Sequence, residues 1–226
     1  MSSLASFVRL DFITVKPYFP AKNLLIYAAV ALFLTVMSGN AFFGIGAGTL
    51  IATVLISYPF AIGEKNNLDA LYATLSLSRR EVVAGRYLFV LAFNLCAVMG
   101  AMILGILGMT VARAVGMDVS PGNPLWVFVA FGAALLVQSV LLPTYFKFGY
   151  TKAKFISIIP FAVIMAAFFA FAFITRTHSF FADTSWFIEL LADNAILIVG
   201  LATVAVALIV LASYRLSQSF YSRREF

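Results

Sequence analysis

Few residues in this chain could do acid–base or nucleophilic chemistry. His178 is the one histidine, and no nucleophile motif surrounds it. A Ser–His–acid or Cys–His site would have to use it; the alternative is a solvated loop histidine. Cys96, the one cysteine, excludes an intramolecular disulfide and a thiolate metal site, and we expect it to be a small buried hydrophobe. The sequence predicts no catalytic residue, no metal site and no enzyme activity.

A glycine-rich stretch, "GIGAGT" at 44–49, superficially resembles a phosphate-binding loop. The Gly-Lys-Ser/Thr that would complete such a loop does not follow, and the stretch lies within an apolar run. Gly44 and Gly48 are four residues apart, a spacing that lets helix backbones approach closely. We therefore expect tight helix packing here, and no nucleotide site or cofactor in this chain.

The polar residues deep in the apolar runs are neutral, whereas ion and proton pathways usually need ionisable groups at such depth. We expect these side chains to form hydrogen bonds across helix interfaces; lining a transport path is the alternative. They are Thr53, Ser57, Asn94, Gln138 and Ser139.

Two carboxylates, Glu189 and Asp193, lie one helical turn apart at the predicted outer start of the last apolar run. Acidic side chains suit the N-terminus of a helix because of its dipole. A possible outer gate is the alternative role for this pair.

The elements that carry these residues are predicted from composition. Of the 226 residues, 63% are hydrophobic and 11% are charged, which leaves too little polar surface for a soluble domain. Apolar runs of about 20 residues recur, the length that crosses a bilayer as a helix. We predict an all-α, polytopic membrane protein with one transmembrane domain over 1–226. The six expected spans are 23–38, 41–61, 82–112, 124–146, 155–175 and 188–213.

The basic residues predict the orientation of these spans. Six spans leave both termini on one side, and the positive-inside rule makes that side cytoplasmic. Of the 15 basic residues, only Arg113 and Arg176 then lie outside. The formal charge of +6 is thus a topological signal, and we expect no nucleic-acid partner.

The segment before the first span, 1–20, has an apolar pattern near helical spacing. Arg9 and Lys16 could face lipid headgroups, and Pro17 should end the helix. We predict a short interfacial helix on the inner leaflet, with a frayed tail as the alternative. Its apolar positions are Leu4, Phe7, Val8, Phe12 and Val15.

The second connection, 62–80, predicts a helix, a break and a new helix. An apolar stripe with i, i+3, i+4, i+7 spacing is typical of one helix face. It comprises Leu68, Leu71, Tyr72 and Leu75, on a helix expected from about Glu64. Ser78 and Glu81 have the spacing of a capping box that starts the third span. The stripe could rest on the inner leaflet or fill a groove in a protein partner, and the pattern alone leaves both open.

Two blocks of sequence resemble a known family. "GEKNNLDALYATLSLSRREVVAGRYL" is similar to the first cytoplasmic loop of small six-span ABC-2-type transporter permeases, including those of phenol-soluble-modulin and other bacterial peptide exporters. "LPTYFKFGYTKAKF" at 142–155 resembles a second block of these permeases. Both blocks occur in the expected order on the two predicted cytoplasmic loops.

The resemblance implies a permease that dimerises, with a second copy or a paralogue, and binds two copies of a separate cytosolic ATPase, which holds ATP and Mg. The first loop would carry the coupling helix, with ATPase contacts at Glu64, Lys65, Asn66, Asn67, Leu68, Leu71 and Tyr72. The second loop, 147–154, would be another ATPase contact or an inner-leaflet anchor. Its matching residues are Lys147, Phe148, Gly149, Tyr150, Lys152 and Lys154.

The function implied is ATP-driven export of amphipathic peptides, antimicrobials or lipid-like compounds across the bacterial cytoplasmic membrane. The aromatic stretch 166–173 suits such substrates, although lipid-facing aromatics are the alternative. The rival functions are a secondary carrier or channel, an intramembrane enzyme, and a non-transporting immunity or sensor subunit with the same fold.

Overall fold

The computed structural model describes residues 3–18, 20–68, 71–72, 78–119, 125–156, 158–159, 162 and 194–223. The regular structure within these ranges is helical, which confirms the predicted all-α class. The helices are α1 (Ser3–Val15), α2 (Ala21–Ser38), α3 (Ala41–Leu55), α4 (Tyr58–Lys65), α5 (Arg79–Ala114), α6 (Leu125–Ile156) and α7 (Ala195–Ser222).

Five helical stretches of the described chain are long and apolar enough to cross a membrane. They are Ala21–Ser38, Ala41–Lys65, Arg79–Ala114, Val127–Ile156 and Leu197–Ser222. The predicted spans at 23–38, 41–61, 82–112, 124–146 and 188–213 each overlap one of them. Most of the predicted span 155–175, the aromatic stretch 166–173 and the residues His178, Glu189 and Asp193 lie outside the described residues.

A tight turn joins α2 to α3, as the sequence predicts. Gly39 ends α2 with φ at 62°, a left-handed conformation that glycine adopts without strain. The Asn40 side chain caps α3 by accepting a hydrogen bond from the Phe42 backbone N–H. A side chain at residue 39 would collide with the Asp118 carbonyl beyond the end of α5, so this turn and the end of α5 share one end of the molecule.

Small residues bring α2, α3 and α5 into close contact. A Cβ added to Gly44 would lie 2.8 Å from the Ala31 carbonyl oxygen of α2, and one added to Gly48 would lie 2.7 Å from the Ala101 Cβ of α5. These approaches confirm the packing role predicted for the glycine-rich stretch. Cys96 differs from expectation: it is exposed on the surface of the chain rather than buried, because its position on α5 faces away from the neighbouring helices.

Helices α6 and α7 run parallel to each other. The Ser213 hydroxyl donates to the Ser139 carbonyl at 2.7 Å. Eight residues further along α6 and seven further along α7, the Lys147 Nζ lies 5.0 Å from the centre of the Phe220 ring. Contacts that advance in the same direction along two helices require a parallel pair.

The C-terminal ends of α4, α6 and α7 lie together at one end of the molecule, which we call the basic end. The start of α5 and the helix α1 lie at the same end. Arg79, at the start of α5, donates to the Ser222 carbonyl at 2.6 Å in the last turn of α7. A cation stabilises a helix C-terminus in this position. Lysines or arginines also occur at or next to the ends of α4, α6 and α7, in agreement with the predicted clustering of basic charge.

Candidate functional site

The first sequence block follows a different helical pattern from the one predicted. Glu64 and Lys65 form the last residues of α4 rather than the start of a new helix. The chain then turns at Asn66 and Asn67, where Asn67 adopts a φ of 49°, a left-handed conformation that asparagine tolerates better than most residues. Helical geometry resumes at Leu68 and is present at 71–72. The prediction of one helix from about Glu64 was therefore wrong at its start.

The residues of this block divide into an outer and an inner set. Glu64, Lys65, Asn66 and Asn67 are exposed and Leu68 is partly buried. The side chain of Leu71 is 44% exposed, whereas that of its neighbour Tyr72 is 2% exposed. Tyr72 was predicted to enter a partner's groove, but in this structure it faces the interior of its own chain.

Tyr72 is fixed from two directions. Its ring packs edge-on against Phe7 of α1, with 5.1 Å between ring centres. Its hydroxyl accepts a hydrogen bond of 3.3 Å from Nη2 of Arg86 on α5. The segment at 71–72 is thus tied to both α1 and α5, and Leu71 is presented outward from an anchored position.

Arg86 of α5 is buried, with 4% of its surface exposed. It forms a 3.0 Å ion pair with Asp11 of α1, and its guanidinium carbon lies 5.1 Å from the centre of the Phe60 ring. Burial raises the pKa of the Asp11 carboxyl to about 6, although the charge of Arg86 opposes this rise.

Asp11 was missed in the sequence. The signal was present: Asp11 lies midway between Phe7 and Val15, at helical i, i+4, i+8 spacing, and all three side chains are buried. An acid in the centre of an apolar face requires a cationic partner. Helix α1 is confirmed as a helix ending before Pro17, but its Phe7–Val15 face packs on the protein, while Phe12 and Ile13 remain exposed.

The second block is helical rather than a loop, except at one residue. Gly149 has φ of 73° and ψ of 174° inside α6, a conformation that is essentially restricted to glycine. The helical turn after this break begins with the backbone N–H groups of Tyr150 and Thr151, and both donate to the Glu64 carboxylate. A carboxylate at a helix start satisfies unpaired N–H groups and the helix dipole. The two sequence blocks therefore meet through Glu64.

Lysines of the second block lie over aromatic rings at the surface. Lys147 has its Nζ 5.0 Å from the centres of both the Phe148 and Phe220 rings, and Lys154 lies 5.1 Å from the Phe155 ring centre. Such cation–π contacts let the methylene stems cover apolar surface while the ammonium groups stay exposed. Lys152 is also exposed.

The start of α5 has the predicted capping box. Ser78 accepts from the Glu81 backbone N–H at 3.2 Å, and the Ser78 backbone N–H donates to the Glu81 carboxylate at 2.9 Å. Helix α5 therefore begins at a fixed residue, and this sets the position of Arg86 two turns later.

Deep within the spans, three neutral side chains form an amide cluster: Thr53, Asn94 and Gln138. Gln138 donates to the Asn94 side-chain oxygen at 3.0 Å and to the Thr53 hydroxyl at 3.4 Å, and Asn94 donates back to Gln138. The cluster joins α3, α5 and α6, which confirms the predicted role of these residues as interhelical contacts. Ser57 and Ser139 differ, because their hydroxyls donate to carbonyls of their own chain segments, those of Val54 and Leu135.

Comparison with known protein families decides the class of this chain. A family profile described as ABC-2 family transporter protein matches residues 6–222, nearly the whole chain and both sequence blocks. The chain belongs to the ABC-2 transporter family. This ABC-2 transporter protein is a multi-pass membrane protein, consistent with a permease subunit, and members of the family generally work with ABC ATPases. No curated protein and no solved structure gave a match to the chain. Among the described residues of this ABC-2 transporter protein, no three His, Cys, Asp or Glu side chains gather as metal ligands.

Proposed function

We propose that this chain is the transmembrane permease subunit of an ATP-driven exporter in the bacterial cytoplasmic membrane. Family membership supports the class, and the grouping of lysines and arginines supports placing the basic end in the cytosol. Two copies of the permease, or one copy and a paralogue, would form the pathway. ATP and Mg would bind to two copies of a separate ATPase, and this chain would supply the contact surface.

The direction of the helices supports six crossings. Helix α6 ends at the basic end, and α7, parallel to α6, finishes at the same end. An odd number of crossings between α6 and α7 is what this parallel arrangement requires. The predicted span at 155–175 would supply one, and both termini would then be cytosolic.

A docking face for the ATPase, defined here as Lys65, Asn66, Asn67 and Leu71, is the observation that carries the proposal. Its polar residues are exposed at the end of a span and just beyond it, and Leu71 adds an exposed apolar side chain. An apolar anchor surrounded by polar groups is the usual composition of a small docking surface. Glu64 and Tyr72 hold the docking face in position, because Glu64 binds backbone N–H groups of α6 and Tyr72 binds Arg86 of α5.

Movement of the docking face would be transmitted to two spans, α5 and α6. Tyr72 connects the face to α5 through Arg86, and Glu64 connects it to the last turns of α6. Closure of an ATPase dimer would pull on this face and favour a second arrangement of the spans, as a ligand favours the state it binds better.

The substrate class we propose is amphipathic peptides, antimicrobials or lipid-like compounds. The support is the resemblance to peptide-exporter permeases and the 24 phenylalanines of the chain, which supply apolar and aromatic surface for such molecules.

Replacing Leu71 with aspartate tests the docking face. The tagged chain is purified from membranes of its source cell, and co-purifying ABC ATPases are identified by mass spectrometry through their Walker sequences. We expect Leu71→Asp to lose the ATPase because a charge replaces the apolar anchor. Val115→Asp is the matched control: Val115 is 70% exposed and follows the opposite end of α5, so this variant should retain the ATPase. Equal recovery by both variants would contradict the docking face.

A further inference from the structure

The ion pair at the basic end belongs to a larger unit that we call the inner joint, formed by Asp11, Arg86 and Tyr72. These residues come from α1, α5 and the 71–72 segment, three parts of the chain that are distant in sequence. Arg86 connects the other two residues, because it forms an ion pair with Asp11 and a hydrogen bond with Tyr72. The position of the Arg86 guanidinium therefore affects both α1 and the 71–72 segment.

The packing around the inner joint leaves α1 little freedom to move while the joint is closed. A Cβ added to Gly85 would lie 2.2 Å from the Phe7 ring, so α1 rests directly on the backbone of α5. Phe7 also contacts the Tyr72 ring, and Arg86 lies 5.7 Å from the centre of the Phe7 ring. Helix α1 therefore forms one side of the pocket that contains the Tyr72 side chain.

The carboxylate of the joint is poorly satisfied. Oδ2 of Asp11 is buried without a hydrogen-bond partner among the described residues, so Arg86 is its main source of stabilisation. The other charged groups of the packed elements lie at the surface or bind elsewhere. Glu64 binds backbone N–H groups of α6 and Arg79 binds the end of α7, while Glu81 is half-buried in the capping box. The remaining ones are exposed: Arg9, Lys16, Lys65 and Arg80.

A second carboxylate borders the same cavity as the guanidinium. A small cavity of about 30 Å³, partly open to solvent, is lined by both Arg86 and Glu64. Because Glu64 borders the same cavity, its carboxylate would attract the guanidinium once the attraction to Asp11 is lost. Such a shift would weaken the hydrogen bond to Tyr72.

We propose that Asp11 and Arg86 are positioning residues, which hold the 71–72 segment in its docking posture while Asp11 is ionised and release it when Asp11 is protonated. The inference rests on the proposed function only for the identity of the docking partner, because the joint lies wholly within this chain. The pKa of Asp11, raised to about 6 by burial, puts the change within reach of mildly acidic pH. Protonation occurs as pH falls through that value, and the ion pair is present above it.

A spin label at residue 71 tests the joint without any ATPase. The exposed Cys96 is replaced by alanine, Leu71→Cys is labelled, and the full chain is placed in lipid nanodiscs. We expect label mobility to increase as pH falls from 7.5 to 5, with a midpoint near 6. Asp11→Asn should show high mobility at both pH values, because a neutral side chain does not retain Arg86. A label at Val115→Cys is the control and should not respond.

Tyr72→Phe provides a second test if Asp11→Asn fails to fold. This variant keeps the ring packing and removes only the hydroxyl that accepts from Arg86, so we expect increased mobility at residue 71 at pH 7.5. The proposal would be overturned if the label at residue 71 had low mobility in Tyr72→Phe and if its mobility did not change with pH in the protein that carries only Leu71→Cys and Cys96→Ala. The label measurement uses no ATPase. A failure of the unsubstituted chain to bind an ATPase would therefore count against the proposed function and not against the inner joint.

Discussion

Among the buried polar clusters that connect helices in the described chain, two differ in charge. The inner joint, at the basic end, contains an ion pair with a carboxylate oxygen that lacks a hydrogen-bond partner in the described chain. The amide cluster, deep in the spans, contains neutral side chains that bond to one another. Each cluster brings together three elements that are far apart in sequence.

This difference in charge suggests that the two clusters have different structural roles. An amide pair donates and accepts in both directions without any change of protonation, so the amide cluster can fix three spans permanently in a region of low dielectric. A buried ion pair has to offset a large desolvation cost, and its balance changes when the carboxyl is protonated. We therefore expect the connection deep in the spans to be independent of pH and the one next to the proposed docking face to depend on it.

Removing the cation of the inner joint should give the largest effect. Arg86→Met leaves Asp11 buried without its counter-charge, a change that costs about 3–5 kcal/mol when a buried pair is broken. Because the uncompensated carboxyl binds a proton more tightly in the folded state, the loss should be greater at pH 7.5 than at pH 5. Urea unfolding in detergent micelles at both pH values measures this difference.

The control for this variant is Arg80→Met, which removes an exposed arginine six residues earlier on the same helix. We expect a change within about 0.5 kcal/mol. Equal losses for the two arginine variants would show that the inner joint does not stabilise the fold.

Gly149→Ala should have the next largest effect. The backbone at Gly149 is accessible essentially to glycine alone, so a side chain there costs about 1–3 kcal/mol and displaces the N–H groups that bind Glu64. A lowered thermal unfolding midpoint is expected. Gly100→Ala is the control, because Gly100 lies in α5 with open space around it and alanine favours a helix. A midpoint as high in Gly149→Ala as in the control would contradict the assigned backbone geometry.

The amide cluster should respond more weakly and without dependence on pH. Gln138→Leu removes its hydrogen bonds to Asn94 and Thr53, and interhelical hydrogen bonds in membranes contribute about 0.6 kcal/mol on average and about 1.7 at most. The same small loss of unfolding free energy is expected at pH 5 and pH 7.5. A loss that varies with pH as in Arg86→Met would remove the distinction between the two clusters.

Local patterns in the sequence predicted much of the fold. Apolar length marked the spans, Gly39 and Asn40 marked the turn between α2 and α3, and Ser78 with Glu81 marked the start of α5. Each of these signals acts within a few residues, so the sequence contains both partners side by side.

The candidate site was harder to predict because its contacts are distant in sequence. Nothing near Arg86 in the sequence indicated its pairing with Asp11, 75 positions earlier. Tyr72 matched an exposed stripe by spacing, yet the approach of α1 buried it. Gly149 showed no local sign of a helix break, since its unusual backbone matters only with Glu64 beside it.

Stimulation of ATP hydrolysis tests the central claim most directly. The chain and its co-purified ABC ATPase are reconstituted in lipid nanodiscs, and phosphate release is measured for the wild type, Leu71→Asp and Val115→Asp. We expect the wild-type chain and Val115→Asp to change the rate of the ATPase by the same factor, and Leu71→Asp to leave the rate at that of the ATPase alone. A rate that is the same with the wild-type chain, with Leu71→Asp and without any chain would contradict the claim that this protein is the permease of an ATP-driven exporter.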